Sequence, residues 1–294
     1  MRVGRVAGMA TLVVAGLVIA GPLPAGLSAG PTAAATPALT NWYRLPATHG
    51  ATGRTRSTWS ASNWSGYAET GHFTSISGSW TVPKVRPGVA DTRSEWFSAT
   101  WVGIDGFNDT DLIQTGTEQD DSGGSASYSA WWEILPKAET TIPDPVSPGD
   151  TMEAAITQTA VTVVKRKRIK VITDEWNIRL QDITAGWSFS TTQVYKGPGD
   201  SAELIVEAPF VGRSLSTLAD YSFPAGSSRA GDFRAAAVST TIGGAPTGAG
   251  LDYQTDAGTL IQGGLQVSTP GAPDASATAF NSSYGATEPA APPS

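Results

Sequence analysis

The feature that most constrains this chain is a recurrence of short β-branched and aromatic runs separated by turn-forming clusters. Ser77-Gly78-Ser79-Trp80-Thr81-Val82-Pro83, Ala99-Thr100-Trp101-Val102-Gly103-Ile104 and Tyr128-Ser129-Ala130-Trp131-Trp132-Glu133-Ile134-Leu135 are typical. Between such runs lie groups of Gly, Pro, Ser, Asp and Asn. Branched and ring side chains pack well on a pleated surface, and the intervening residues favour turns. From Asn63 to about Gly285 no stretch carries a convincing amphipathic-helix period. Regularly spaced short strands predict an all-β sandwich or barrel, and about 220 residues suits one such domain.

The flanks read differently. Arg2 and Arg5 precede an apolar run from Met9 to Ala20, and small residues follow at Ala25 to Ala29. The run is short of the ~20 residues a membrane-spanning helix needs. Residues 1–29 are therefore expected to be a signal peptide for export. Residues 30–58, rich in Ala, Thr, Pro and Gly, read as a linker or short pro-segment. The β-domain is expected over 59–285, and 286–294 reads as a disordered tail. The mature protein is expected to be secreted, free of membrane after signal removal, and monomeric.

Composition removes most hydrolytic chemistries. Cysteine is absent, which excludes thiolate nucleophiles, thiolate metal sites and disulfides. The two histidines, His49 and His72, are too few for a multi-histidine metal centre. No phosphate-binding loop or dinucleotide fingerprint is present. No cofactor and no metal are expected, so carboxylates, amides, hydroxyls and backbone would have to do any chemistry. All 26 acidic residues follow Arg56, against fourteen basic ones in the same stretch, a balance of −12. Nucleic acid and anionic membranes are poor partners for so acidic a surface. Five of those fourteen lie in Lys165-Arg166-Lys167-Arg168-Ile169-Lys170, which the flanking valines mark as the cap of an exposed hairpin.

Strand parity then isolates a polar face. Side chains on a strand alternate between faces. In Trp101 to Asp105, Val102 and Ile104 oppose Trp101, Gly103 and Asp105. In Leu112 to Gly116, Ile113 and Thr115 oppose Leu112 and Gln114. In Ser129 to Leu135, Ala130, Trp132 and Ile134 oppose Trp131 and Glu133. In Glu203 to Glu207, Leu204 and Val206 oppose Glu203, Ile205 and Glu207. A curved sheet would gather Trp101, Asp105, Gln114, Trp131, Glu133 and Glu207 in one concave groove. A carboxylate there can act as general base on a water, and an amide can donate to a developing oxyanion.

These motifs carry a resemblance. Ser62-Asn63-Trp64-Ser65-Gly66, Trp101-Val102-Gly103-Ile104-Asp105-Gly106, Leu112-Ile113-Gln114-Thr115-Gly116, Tyr128-Ser129-Ala130-Trp131-Trp132-Glu133 and Ala202-Glu203-Leu204-Ile205-Val206-Glu207 resemble, in this order, the glutamic peptidases (family G1, the eqolisins). The resemblance implies a lectin-like sandwich of two antiparallel sheets with a concave active-site groove. It implies Glu207 as general base and then acid, and Gln114 as oxyanion donor. Trp101, Asp105, Trp131 and Glu133 match positions that line or support the family site. It further implies a pepstatin-insensitive acid endopeptidase acting on protein or peptide substrates, with no metal and no covalent intermediate. Fungal members carry Asp where this chain has Ser129, and an acidic-aromatic pair where it has Ala208-Pro209. They also contain disulfides, and the Lys165 region looks like an insertion relative to them.

Two other readings share the scaffold. Ten tryptophans on a lectin-like sandwich would serve sugar stacking. Paired carboxylates such as Glu133 and Glu207 would serve a glycosidase.

Overall fold

The computed structural model describes residues 42–43, 59–88, 95–166, 169–222, 233–236 and 250–293. The expected signal segment lies outside the described residues, as does the expected linker apart from its Trp42–Tyr43 pair. In chain order the strands are β1 (Trp42–Tyr43), β2 (Trp59–Ala61), β3 (Trp64–Thr70), β4 (Ser75–Thr81), β5 (Lys84–Arg86), β6 (Glu95–Ile104) and β7 (Ile113–Ser122). There follow β8 (Ser125–Ile134), β9 (Thr140–Ile142), β10 (Thr151–Arg166), β11 (Ile169–Asp182), β12 (Trp187–Val194), β13 (Ser201–Glu207) and β14 (Phe210–Val211). The last are β15 (Ser214–Leu215), β16 (Asp220–Ser222), β17 (Phe233–Ala236), β18 (Ala257–Gln262), β19 (Leu265–Pro270), β20 (Ala279–Phe280) and β21 (Ser282–Tyr284). No helix occurs among the described residues.

Two large sheets form the sandwich. One is ten-stranded, in the order β21-β19-β18-β3-β13-β6-β7-β8-β9 with β2 paired to β18. The other is six-stranded, in the order β12-β11-β10-β4-β17-β20. The pairing between named strands is antiparallel except for β2 with β18. The main core lies between the sheets. Val102, Ile104, Ile113, Ala130, Leu204 and Val206 of the larger sheet meet Ile76, Trp80, Met152, Ile156, Ile178 and Leu180 of the smaller. Each Val, Ile, Leu or Met side chain among them contributes about 1.5–3 kcal/mol of transfer free energy. One polar bond crosses the core, from Trp80 Nε1 to Thr117 Oγ1 at 2.9 Å.

Strands β6 and β13 are buried along nearly their whole length, while edge strand β12 alternates half-buried and exposed. Both faces of the central strands are therefore covered. The far face carries a second apolar cluster of Ala61, Trp64, Ala99, Trp101, Leu112, Trp131, Leu135 and Ile205, with Trp59 and Phe107 packed against it.

Three flanking expectations can be located. The basic run closes the β10–β11 hairpin, with Lys165 opposite Lys170 and Arg166 opposite Ile169. Trp42–Tyr43, inside the expected linker, pairs with Phe210–Val211. The tail after Tyr284 forms no further strand, yet Asn281 Nδ2 donates to Ala290 O at 2.8 Å and Pro292 is buried. Pro289 lies against Gly271, just past β19, which low sequence complexity alone does not reveal.

Candidate active site

The register of five strands lays the far face out in three rows. The first runs Glu203, Gly103, Gln114, Glu133 across β13, β6, β7 and β8. The second runs Ile205, Trp101, Gly116, Trp131. The third runs Trp64, Glu207, Ala99, Glu118, Ser129, starting from β3. All four parity assignments hold within the strands, because the antiparallel pleat leaves no choice of face once the apolar set is turned to the core.

Trp101 organises this face. Its indole lies over Gly103, where a Cβ would come within 2.7 Å of Cζ3. Gly116 beside it leaves the same kind of room, since a Cβ there would stand 2.5 Å from the Trp101 Cβ. Trp64 meets the ring edge to face, with centroids 4.9 Å apart. So held, the indole Nε1 donates to Glu207 Oε2 at 2.8 Å.

Gln114 is fixed by a second bond. Its Nε2 donates to Glu133 Oε2 at 2.7 Å. An ionised carboxylate only accepts, so this contact sets which way the amide points. The NH₂ group keeps a second hydrogen, and Oε1 has no protein partner among the described residues. Gln114 and Glu207 thus share a face and lie diagonally on either side of the tryptophan row. Trp101, Gln114, Trp131 and Glu207 are 0% exposed and Glu133 is 1% exposed. Buried polar groups at this density cost free energy unless paired, which makes this face the candidate site.

Asp105 departs from the sequence expectation. The strand ends at Ile104, and Asp105 takes φ 67°, which breaks the alternation. Its carboxylate accepts from Tyr195 Oη at 2.5 Å, Gly199 N at 3.0 Å and Asp200 N at 2.7 Å. Burial pushes its pKa up, and the Tyr195, Gly199 and Asp200 donors partly offset that. Asp105 ties down the 195–200 connection instead of lining the tryptophan row. The signal was present: an Asp-Gly pair after a strand is a turn sequence.

Two members of the face escaped the sequence reading. Glu118 is buried on the row of Glu207, and Trp64 seats Trp101. Carrying the parity of 114 and 116 two residues further would have found Glu118. Glu203 shares the parity of Glu207 but lies on the Gln114 row, and burial drives its pKa well up, with Asp105, Asp109 and Asp200 adding to the shift.

The family model described as Peptidase A4 family matches residues 62–225, more than half of the chain. Two crystal structures of scytalido-glutamic peptidase, with a transition state analog inhibitor and with a peptide based transition state analog, are similar at 22% identity. Each comparison covers 76% of this chain and 98% of the other, with TM-scores of 0.55 and 0.54. Aspergilloglutamic peptidase from Aspergillus niger is similar at 26% identity over 64% of this chain and 99% of the other, TM-score 0.42. The comparison with curated protein sequences found no match. A peptidase, not a sugar-binding module or glycosidase, is the reading the family match supports: the all-β sandwich is the fold of glutamic peptidases, and the chain belongs to the peptidase A4 family.

Proposed function

We propose that this glutamic peptidase is a secreted acid endopeptidase that hydrolyses peptide bonds with Glu207 and Gln114 as its dyad. The observation that supports it is the pair of buried hydrogen bonds on one face, Trp101 to Glu207 and Gln114 to Glu133. In this reading Glu207, ionised, removes a proton from a water as that water adds to the scissile carbonyl carbon. The carbonyl oxygen becomes an oxyanion and accepts from the second Gln114 Nε2 hydrogen. Glu207, now protonated, delivers its proton to the leaving nitrogen as the C–N bond breaks. No covalent intermediate forms and no metal takes part.

Trp101 holds the base, Glu133 holds the amide, and Trp131 walls the substrate groove beside them. Asp105 enters this scheme as a positioning residue at the end of that groove. Residues 1–29 act as the export signal, residues 30–58 are a linker or short pro-segment, and the mature enzyme is a monomer. Acid working conditions suit the carboxylates that burial raises, Glu69 to about 7 among them.

The test is a pH-resolved digest of denatured protein between pH 3 and 7. Wild type should cleave in the acid range, with pepstatin and a chelator having no effect on the rate. Glu207→Gln and Gln114→Ala should each abolish detectable cleavage with folding unchanged. Cleavage at the wild-type rate by Glu207→Gln would refute the dyad.

A further inference from the structure

The far face continues past the row of Glu207. On β6, Ala99 lies opposite Glu207, and Phe97 and Glu95 have the same parity as Ala99. The β6–β7 register runs without a break from Glu95 to Ile104, so Glu95, Phe97, Ala99 and Trp101 share one face. Alternate residues of a strand are about 6.6–7 Å apart, which sets Phe97 one such step beyond the Glu207 row. There a recess of about 370 Å³ opens, lined by Glu95 and Phe97 of β6 and by residues that follow Glu207 in the chain. That volume lies at the small end of the roughly 300–1,000 Å³ of ligand pockets and has room for one long side chain.

The opposing wall is preformed. Strand β13 stops at Glu207, and the β14–β15 hairpin leaves the large sheet. The hairpin closes where Ser216 N donates to Pro209 O at 3.0 Å. The chain then returns to β6, where Phe97 N donates to Thr217 O at 3.0 Å and Ala219 N donates to Phe97 O at 2.9 Å. Gln262 fixes this strip, accepting at Oε1 from Leu218 N at 3.0 Å and donating from Nε2 to Ser216 O at 2.9 Å. Val211, Leu215 and Thr217 thus line the recess together with Phe97. The hairpin also accepts extended chain on its outer edge, where β1 pairs with Phe210 and Val211.

Among the described lining residues Glu95 alone is ionisable, and it is exposed at the start of β6. Phe97 is 7% exposed, and Val211 and Leu215 are half-buried. An apolar recess with a carboxylate at its solvent end fits a side chain that is apolar along its stem and cationic at its tip. An acidic side chain there would meet like charge, and a neutral one would leave the carboxylate without a counter-charge. We propose that the recess is a substrate subsite for a lysine or arginine side chain, whose stem lies on Phe97, Val211 and Leu215 and whose cation meets Glu95. Glu95 then sets the cleavage preference of this chain. The subsite rests on the reading of Glu207 as the base, because that reading puts the recess beside the scissile bond.

The test reads cleavage and binding separately at pH 5.5. In a peptide library digested by the wild-type protein, Lys or Arg should be preferred over Met about fivefold at one fixed position within three residues of the cut. Glu95→Gln should bring that ratio near one, and Glu95→Lys should turn the same position toward Asp and Glu. Glu153→Gln, an equal charge change on the smaller sheet, should leave the ratio as in wild type. Binding is read by calorimetry on Glu207→Gln, with a Lys peptide and its Met analogue, so that it does not depend on turnover. The Lys peptide should bind about fivefold tighter, and the difference should vanish when Glu95→Gln is added. Equal binding of the two peptides, or a Lys preference that survives Glu95→Gln, would overturn the subsite. A wild type that cleaves with no Lys or Arg preference would do so too, with the dyad left standing. A Glu207→Gln protein that cleaves at the wild-type rate would refute the dyad instead, and the dependence of the Lys ratio on Glu95 would still decide the subsite.

Discussion

The two faces of the larger sheet are made by the same strands and differ by one residue of parity. On β13, Leu204 and Val206 join the core between the sheets, while Glu203, Ile205 and Glu207 look the other way. On β7, Ile113, Thr115 and Thr117 face inward and Gln114, Gly116 and Glu118 outward. Both sets are buried, so burial does not distinguish them. Chemistry does. The inner face is mostly apolar and stabilises the fold through transfer free energy. The outer face mixes tryptophans with carboxylates and an amide, held by a few directed bonds, and burying those polar groups costs stability.

The sharpest way to break this comparison is to mutate neighbours on one strand. Glu207→Gln removes the proposed base with little change of shape. It should lower kcat/KM by at least about 10⁴-fold, with Tm unchanged or raised, as read by peptide cleavage and calorimetry. Leu204→Ala, three residues away on the other face, should do the reverse. It should cost about 2–5 kcal/mol in denaturant unfolding and leave kcat/KM of the folded fraction intact. Activity lost in Leu204→Ala without instability would show that the faces are not separable.

Trp101→Phe should give a smaller effect. It keeps an aromatic ring over Gly103 but removes the indole donor to Glu207. We expect about 10- to 100-fold lower kcat, a shifted acid limb of the pH profile, and near-wild-type KM. The smallest effect concerns pH and the rim. Burial, then Asp256, raises Glu69 from 4.5 to about 7. A carboxyl that holds its proton more tightly folded than unfolded stabilises in full below the unfolded value. That stability is lost as pH rises through about 7. Asp105, Asp109, Asp150, Asp256 and Glu203 are also raised, chiefly by burial, and so have the same sign. Tm should therefore fall between pH 4.5 and 7, and Glu69→Gln should flatten part of that fall.

Much of this face was legible in the chain. The alternation in Trp101 to Ile104, Leu112 to Gly116 and Glu203 to Glu207 assigned each residue to its face before any coordinates, because a period of two admits only two choices. The hairpin cap at Lys165 to Lys170 was legible for the same reason, with valine runs leading in and out. Asp105 was not. It lies one residue past the strand, where a positive φ redirects its carboxylate to Tyr195 and the 199–200 amides. Those partners are ninety or more residues later, and no local pattern names them. Glu118 was missed because its segment was cut at Gly116, and Trp64 because its role depends on the ring it touches.

The sequence by itself determined the all-β class, the facing of each strand and the set of groups available for chemistry. These follow from side-chain shape, period and composition, which are local. Only the tertiary structure decided which of two equivalent glutamates meets an indole N–H. Glu203 and Glu207 have the same parity and the same burial. Strand order puts β6 beside β13, and the bare backbone at Gly103 and Gly116 lets the Trp101 ring lie so that its nitrogen reaches Glu207. Glu203 stays on the Gln114 row, across from Gly103. That difference is a matter of register between strands about a hundred residues apart, and register is set by packing rather than by the local run of residues.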